Sequence, residues 1–447
     1  MTFERSHRAT DPPPNEDRPS WRGSSTDATD PAPVVVIGAG AAGLVAALFA
    51  ARAGAPVILV EGTADGGRKI LISGGGRCNI LPAAAAPRRY VTDSSPNTLR
   101  KLLLAWPLNE QRAFFESELG MPLELEAETG KLFPSSHRAR DVRDGLVERV
   151  REAGARLWFG TRVTDVLPAS SKDGSRVRWR VVLDGAPTLD ATAVVLATGG
   201  LSVPATGSDG FGLGLAERLG LVVHPPYPAL TPLTADPHPH ADLAGISLTI
   251  TLRAPGTKPA FETTGGFLFT HRGWSGPTVL DVSHLATRQR LDGKRQELLV
   301  QWSAANADGW TARLGHGPGT VRSAMASELP RRLTELLLHE CGVPSETQLA
   351  QLRRDDRRRL VEALTAYHLP WTGDEGYKKA EVTGGGVSLA EVAPRTLEAR
   401  RHPGLHLCGE VLDAFGPIGG HNFLWAWSTG RRAGAAAAHG TLTADGT

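Results

Sequence analysis

The stretch PVVVIGAGAAGLVAALFAARAGAPVILVEG, residues 33–62, constrains this chain more than any other. Val34 to Ile37 is an unbroken β-branched run, the composition of a strand buried on both faces. Gly38 to Gly43 make a turn, Leu44 to Arg52 an Ala-rich helix that Gly54 can end, and Val57 to Val60 a second strand. A strand, a helix and a strand in that order demand parallel pairing and a right-handed crossover. The spacing Gly38-x-Gly40-x-x-Gly43 opens the helix, and Glu61 follows 23 positions after Gly38, near the ~20 of a dinucleotide site. Gly38 allows the tight turn, Gly40 lets a pyrophosphate approach the backbone, and Gly43 lets the helix pack on the strand. The helix start offers free N–H groups and partial positive charge to the phosphates. Glu61 can accept the ribose hydroxyl protons of an adenosine half.

NAD and FAD both fit this unit, and two further Gly-rich stretches favour flavin. In RKILISGGGRCN, Ser73-Gly74-Gly75-Gly76 can run flat against a phosphate-ribityl chain or an isoalloxazine face. Arg68, Lys69 and Arg77 could offset phosphate charge or stand as surface cations, and Asn79 could bond the flavin edge. Cys78 reads as a packed free thiol, because no partner cysteine is near in sequence. In CGEVLDAFGPIGGHNFLWAWSTG, Asp413 is placed to bind a ribityl hydroxyl. Gly419 and Gly420 lead into a helix starting near His421 or Asn422, whose N-terminus can stabilise charge on the flavin. Phe423, Trp425 and Trp427 either cover the ring or pack the helix on the sheet.

The 447 residues suggest two or three domains, and 41% hydrophobic content supports a sizeable core. The reading is α/β: a Rossmann-like FAD-binding domain of the two-dinucleotide-binding type over 33–202 plus 395–440. A β-barrel-like domain follows over 203–303 plus 367–394, with a small helical insertion at 304–366. Residues 1–32 read as a disordered, Pro-rich leader without a secretory apolar run. A net charge of +2 gives no strong reason to expect nucleic acid, and no apolar run is long enough for a membrane span. Three scattered cysteines point away from disulfides and metal, and towards a reducing, cytoplasmic compartment.

The motifs VIGAGAAG, GRKILISGGGRCN, LATGG, FLFTHRGWSGP, EVTGGGV and GEVLDAFGPIGGHNFLWAWSTG occur in this order. Together they resemble the HI0933/YhiN-type flavoprotein family, which includes enzymes called aminoacetone oxidases and BaiN-type bile-acid C=C reductases. The likeness runs from Val34 to Gly434. It implies non-covalent FAD. By motif, Gly38, Gly40, Gly43 and Glu61 would hold the ADP half. Ser73 to Asn79 would line the ribityl chain and flavin, Thr198-Gly199 the adenosine or pyrophosphate side, and Asp413 with Gly419 to Phe423 the flavin end. Ala39, Ala41, Ala42, Gly62, Val163, Ala197, Gly409 and Glu410 complete the candidate contacts. After GGGRCN the chain departs from the common polar continuation with Ile80-Leu81-Pro82.

Acid–base candidates are His271 in FTHRGWSGP and His421 at the last helix start. Each has a structural alternative, His271 as the tie of a domain junction. No second fingerprint offers NAD(P)H a permanent seat, so NAD(P)H would visit as a transient donor. The expected function is hydride transfer between flavin N5 and a small organic substrate, either C=C reduction or amine oxidation with peroxide. Alternatives are a flavin-bound RNA-modifying protein, with the RRDDRRR run meeting phosphate, and a flavin-storage protein.

Overall fold

In a computed structural model, the structure describes residues 32–169, 177–315 and 317–442, so the leader lies outside it except for Ala32. Two compact units divide the chain. One comprises Met1–Pro226 and Gly384–Thr447, the other Tyr227–Thr383. The first unit therefore keeps residues 203–226 and 384–394, which strand patterning alone groups with the second.

The first unit is built on a five-stranded parallel sheet in the order Leu405–Leu407, Ala193–Leu196, Val34–Ile37, Val57–Val60, Arg156–Trp158. Val34 pairs with Ala193 on one side and Val57 on the other. All four residues of Val34–Ile37 are buried, which is why that run contains no polar residue. Fully burying one such side chain is worth roughly 1.5–3 kcal/mol, so this strand anchors the unit.

The fingerprint helix, Ala41–Arg52, covers the sheet and is itself crossed by the helix His421–Leu442. Gly430 and Gly434, one turn apart, sit on this crossing: a Cβ on either would collide with the carbonyl oxygen of Ala42 or Ala46. Backbone-to-backbone approach explains the small-residue run STGRRAGAAAA. Gly54 has φ +88 and ends the fingerprint helix as expected. An antiparallel meander, Val163–Pro168, Trp179–Leu183 and Ala186–Ala191, adds a second small sheet. The hairpin read around Thr129-Gly130 forms between Leu123–Glu126 and Lys131–Pro134, and Leu81–Pro82 joins it as a third strand.

The second unit is a seven-stranded antiparallel sheet whose outermost strands, Tyr367–His368 and Gly373–Asp374, are two residues long. Each pairs on one side only among the described residues, so the ladder is open and the barrel-like expectation becomes an open sheet. Strands that short offer too few N–H and C=O groups to close it. The helices between 307 and 365 are no separate body. Trp310, Leu333 and Leu360 share one hydrophobic cluster with sheet residues Ile250, Phe267 and Trp274. In that core, Trp274 Nε1 donates to His240 Nδ1 at 3.1 Å, which leaves the His240 Nε2–H for the Tyr367 hydroxyl at 2.8 Å.

Candidate functional site

The fingerprint turn is walled behind and open in front. A Cβ on Gly38 (φ +100) would stand 2.6 Å from the Ala197 carbonyl oxygen, and one on Gly43 would overlap the Gly38 carbonyl oxygen. A Cβ on Gly40 would meet nothing within 4 Å. Gly40 caps the helix without any side-chain hydrogen bond, so the first N–H groups, from Ala41 onward, have no side chain across them. Glu61 closes the turn: Oε2 accepts from Ala39 N at 2.7 Å, and Oε1 from Thr63 N and Oγ1, both at 2.7 Å. Each oxygen of an ionised carboxylate offers about two acceptor positions, so Oε2 keeps capacity for a hydroxyl. Gly62 is exposed beside it, whereas Val163 and Ala197 are buried.

The GGGRCN run has a different cause at each glycine. Gly74, Gly75 and Gly76 all have positive φ, at +55, +67 and +87. At Gly74 a Cβ would also stand 3.1 Å from Asn79 N, while at Gly75 it would meet nothing. Backbone conformation therefore requires these glycines, and the backbone at Gly75 and Gly76 stays bare. The neighbouring cations have protein partners. Arg68 Nε bonds Asp65 at 2.8 Å. Arg77 bonds Glu126 at 3.0 Å with its guanidinium 4.2 Å from the Phe133 ring centroid. Lys69 Nζ bonds Glu410 Oε2 at 2.7 Å and also Ser202, which donates to Glu410 Oε1 at 2.6 Å. That cluster ties the helix Arg68–Ile72 to the segments after the strands Ala193–Leu196 and Leu405–Leu407. Cys78 is fully buried, and burial pushes its thiol up to about 12, which suits a packed free thiol.

Gly199 has φ +72, and the Thr198 hydroxyl is buried without a partner. Gly409 has φ +77, and its N–H donates to Thr429 Oγ1 at 2.9 Å. Asp413 is 2% exposed, and its Oδ2 accepts from Thr92 Oγ1, Asp93 N, Ser94 N and Ser94 Oγ at 2.8–2.9 Å. His224 Nε2 lies 3.7 Å from the same oxygen. Neither the 92–94 loop nor His224 was legible as a partner, since both are distant in sequence. The second GGG, in EVTGGGV, serves this place. A Cβ on Gly386 would stand 2.8 Å from the Val411 carbonyl oxygen, and one on Gly385 2.9 Å from that of His224.

At the last helix, Gly419 and Gly420 have φ +102 and +91. A Cβ on Gly420 would press on the backbone of Leu81 and Pro82, and Trp427 Nε1 donates to Ile80 O at 3.1 Å. The apolar Ile80-Leu81-Pro82 is thus the seat of this helix. Asn422 braces the Gly416 turn with both amide atoms, Phe423 stacks on Trp427, and His421 is buried. His271 lies exposed on the turn between Phe261–Phe269 and Gly273–Ser275 of the second unit.

The family model described as HI0933-like protein Rossmann domain matches residues 32–436. The chain belongs to that family. It is an FAD-dependent oxidoreductase. The chain is 33% identical over 405 residues to the ribosomal RNA dihydrouridine synthase of Escherichia coli (strain K12), covering 88% of this chain and 95% of that one. A protein of the same description from Haemophilus influenzae is 32% identical over 398 residues, covering 88% and 96%. The 3-dehydro-bile acid delta(4,6)-reductase of Clostridium scindens is 33% identical over 412 residues, covering 90% and 98%. The family's cofactor fits what this chain offers: an open front at Gly40 and exposed glycine backbone at Gly75 and Gly76. Among the described residues no helix is long and apolar enough to cross a membrane.

Glu61→Ala is expected to weaken FAD retention roughly tenfold or more, since charge-assisted hydrogen bonds are lost. Dialysis followed by absorbance of the retained flavin checks it, and a fully yellow mutant contradicts it.

Proposed function

We propose that this chain reduces a carbon–carbon double bond conjugated to a carbonyl. The observation that carries the reading is the pair of relatives, matched at equal identity over nearly their whole length. One makes dihydrouridine and the other reduces a dehydro bile acid. Uracil and a steroid enone present the same acceptor, an alkene polarised by an adjacent carbonyl.

FAD, when bound, supplies the hydride. The protein's part is to hold, orient and keep water away. Glu61, the fingerprint helix start and Thr198-Gly199 would hold the ADP half. Ser73 to Asn79 and Gly409 to Asp413 would hold the ribityl side, with Lys69, Ser202 and Glu410 locking those segments together. Gly419 to Phe423 would present a helix N-terminus to the flavin. NAD(P)H is our candidate for the transient donor. Three free, buried thiols suit a reducing, cytoplasmic setting.

An rRNA-modifying relative keeps nucleic acid among the substrates despite the near-neutral charge. The exposed Arg353, Arg354 and Arg358 are on the surface available to phosphate. The test is anaerobic. NADH or NADPH should bleach the flavin, and either a steroid enone or unmodified ribosomal RNA should restore its colour without oxygen. Bleaching by amines, with peroxide on re-aeration, would replace this reading with the amine-oxidase one.

A further inference from the structure

The helix Arg354–Thr365 of the second unit opens on the run RRDDRRR, residues 353–359, which the flavin chemistry leaves unused. Apolar contacts hold this helix down: Leu360 and Leu364 are fully buried in the cluster that also carries Trp310 and Phe267. Elsewhere in the unit arginines are committed. Arg253, Arg290, Arg313, Arg322, Arg331 and Arg359 each meet a carboxylate oxygen at 2.5–2.8 Å. The side chains of Arg353, Arg354, Arg357 and Arg358 meet no carboxylate, and among the described residues they have no hydrogen-bond acceptor either. Asp355 lies three positions before Arg358 and Glu362 four positions after it, yet neither takes it.

Local physics argues against this placement. Residues four apart are neighbours on a helix surface, so Arg353 stands by Arg357 and Arg354 by Arg358, like charge beside like charge. Arg353 is the N-cap and Arg354 the first helical residue, where the free N–H groups already carry partial positive charge. A short polar acceptor would cap them, yet no side chain caps this end. Asp355 and Asp356 in the first turn offset part of that charge, but Asp356 is committed to Arg359 at 2.6 Å. Arg353, Arg354 and Arg358 are exposed and Arg357 is half-buried, so the core does not call for any of the four charges. Crowded guanidinium groups without an anion are a cost to the free protein, and a bound polyanion turns that cost into a gain.

We propose that Arg353, Arg354, Arg357 and Arg358 form a docking surface for the sugar-phosphate backbone of RNA. The proposal rests on, and deepens, the reading that keeps RNA among the substrates. A guanidinium fork meets phosphate oxygens with two N–H groups at a time. The arginine pairs repeat after about 6 Å along the axis, so more than one phosphate of a strand can be met at once. Such contacts supply affinity and register, and they carry no base preference. A lipid surface is the poorer partner, because Leu360 and Leu364 are turned into the core and are not free to insert.

Three full-length, FAD-loaded proteins test it. One is wild type, one combines Arg353→Gln, Arg354→Gln, Arg357→Gln and Arg358→Gln, and one carries lysine at the same four positions. Glutamine keeps helix propensity and removes the charge, whereas lysine keeps the charge and loses the fork. The probe is unmodified ribosomal RNA made by transcription, with binding measured by filter retention from about 50 to 200 mM salt. The glutamine variant is expected to match wild type in melting temperature and flavin content and to bind RNA at least about tenfold more weakly at low salt. Its slope of log affinity against log salt should shrink by about 3, at ~0.7 for each phosphate lost on a single strand. The lysine variant should keep the slope and bind a few-fold more weakly. In wild type, RNA should shield the peptide carrying residues 353–358 from phenylglyoxal, a readout that needs no variant. The docking surface alone is overturned if wild type holds RNA without that shielding, if a folded glutamine variant matches wild type in affinity and slope, or if the lysine variant loses the slope as well. It is also overturned if the glutamine variant keeps RNA but loses phosphatidylglycerol vesicles. Wild-type protein that holds no RNA at low salt overturns it together with RNA as a substrate, while the enone reading is judged separately by the flavin assay.

Discussion

Gly43→Ala is expected to yield protein that is poorly folded and colourless. The added methyl would coincide with the Gly38 carbonyl oxygen and stand 3.2 Å from Ala197 Cβ. The obstacle is backbone, so no rotamer change relieves it. The turn or the helix must move, at a cost of about 3 kcal/mol or more, the upper end for an overpacked core. Gly40→Ala, three residues earlier, makes the control. Gly40 has φ −76, which any residue adopts, and a Cβ there meets nothing within 4 Å. Apo Gly40→Ala should melt like wild type, yet its methyl occupies the open front where phosphate must approach. FAD affinity should fall at least about tenfold, or ~1.4 kcal/mol. Thermal melts and FAD titrations of both variants check the pair. A flavin-loaded, normally melting Gly43→Ala protein would show that the turn is not held as described.

The second large effect is loss of stability in mild acid. His284 is almost fully buried, its Nδ1 donates to the Asp281 carbonyl at 2.8 Å, and burial pushes its pKa down to about 4. His421 is held to about 4 by burial and by Arg89. Burial also lowers His238 and His406. In each case the folded-state pKa lies below that of the unfolded chain, about 6.5 for histidine. The unfolded chain then binds protons first as pH falls. For His284 and His421 that stability is complete above about pH 6.5 and is lost between there and about pH 4, by up to ~1.4 kcal/mol per pH unit each. Melting temperature measured across that range should fall steadily, and His284→Gln should shallow the slope. A flat profile would mean that these imidazoles are not buried in neutral form. His284 belongs to the second unit and His421 to the first, so both units should feel the acid.

How much of this was readable beforehand differs from element to element. The Val34–Ile37 strand, the fingerprint helix and Glu61 were legible because their causes are local: a β-branched run, glycine at set intervals and an acid at a strand end. The hairpin at Thr129-Gly130 and the helix start at His421 were legible for the same reason. Gly430 and Gly434 carried a readable signal, small residues at one-turn spacing, which marks a close helix crossing.

Other features depended on chain segments far apart in sequence. Asp413 meets Thr92, Asp93 and Ser94 more than 300 positions away, and Lys69 meets Glu410 341 positions away. No local rule pairs such residues, because their distance is set by how the whole sheet stacks. The same holds for EVTGGGV, whose glycines exist for backbones that only the folded sheet brings near. The second unit's sheet stays open because its edge strands are short, and strand patterning does not count edge hydrogen bonds.

By itself, then, the sequence determined a parallel α/β core and a flavin-type cradle, because turn geometry, alternation and helix starts are written in neighbouring residues. Only the tertiary structure decided which cations are committed to carboxylates, which glycines face backbone and which face open space, and that one buried nitrogen at His421 has no protein partner. Those outcomes depend on what lies across a packed interface, and residues there are chosen by the fold rather than by their neighbours in the chain.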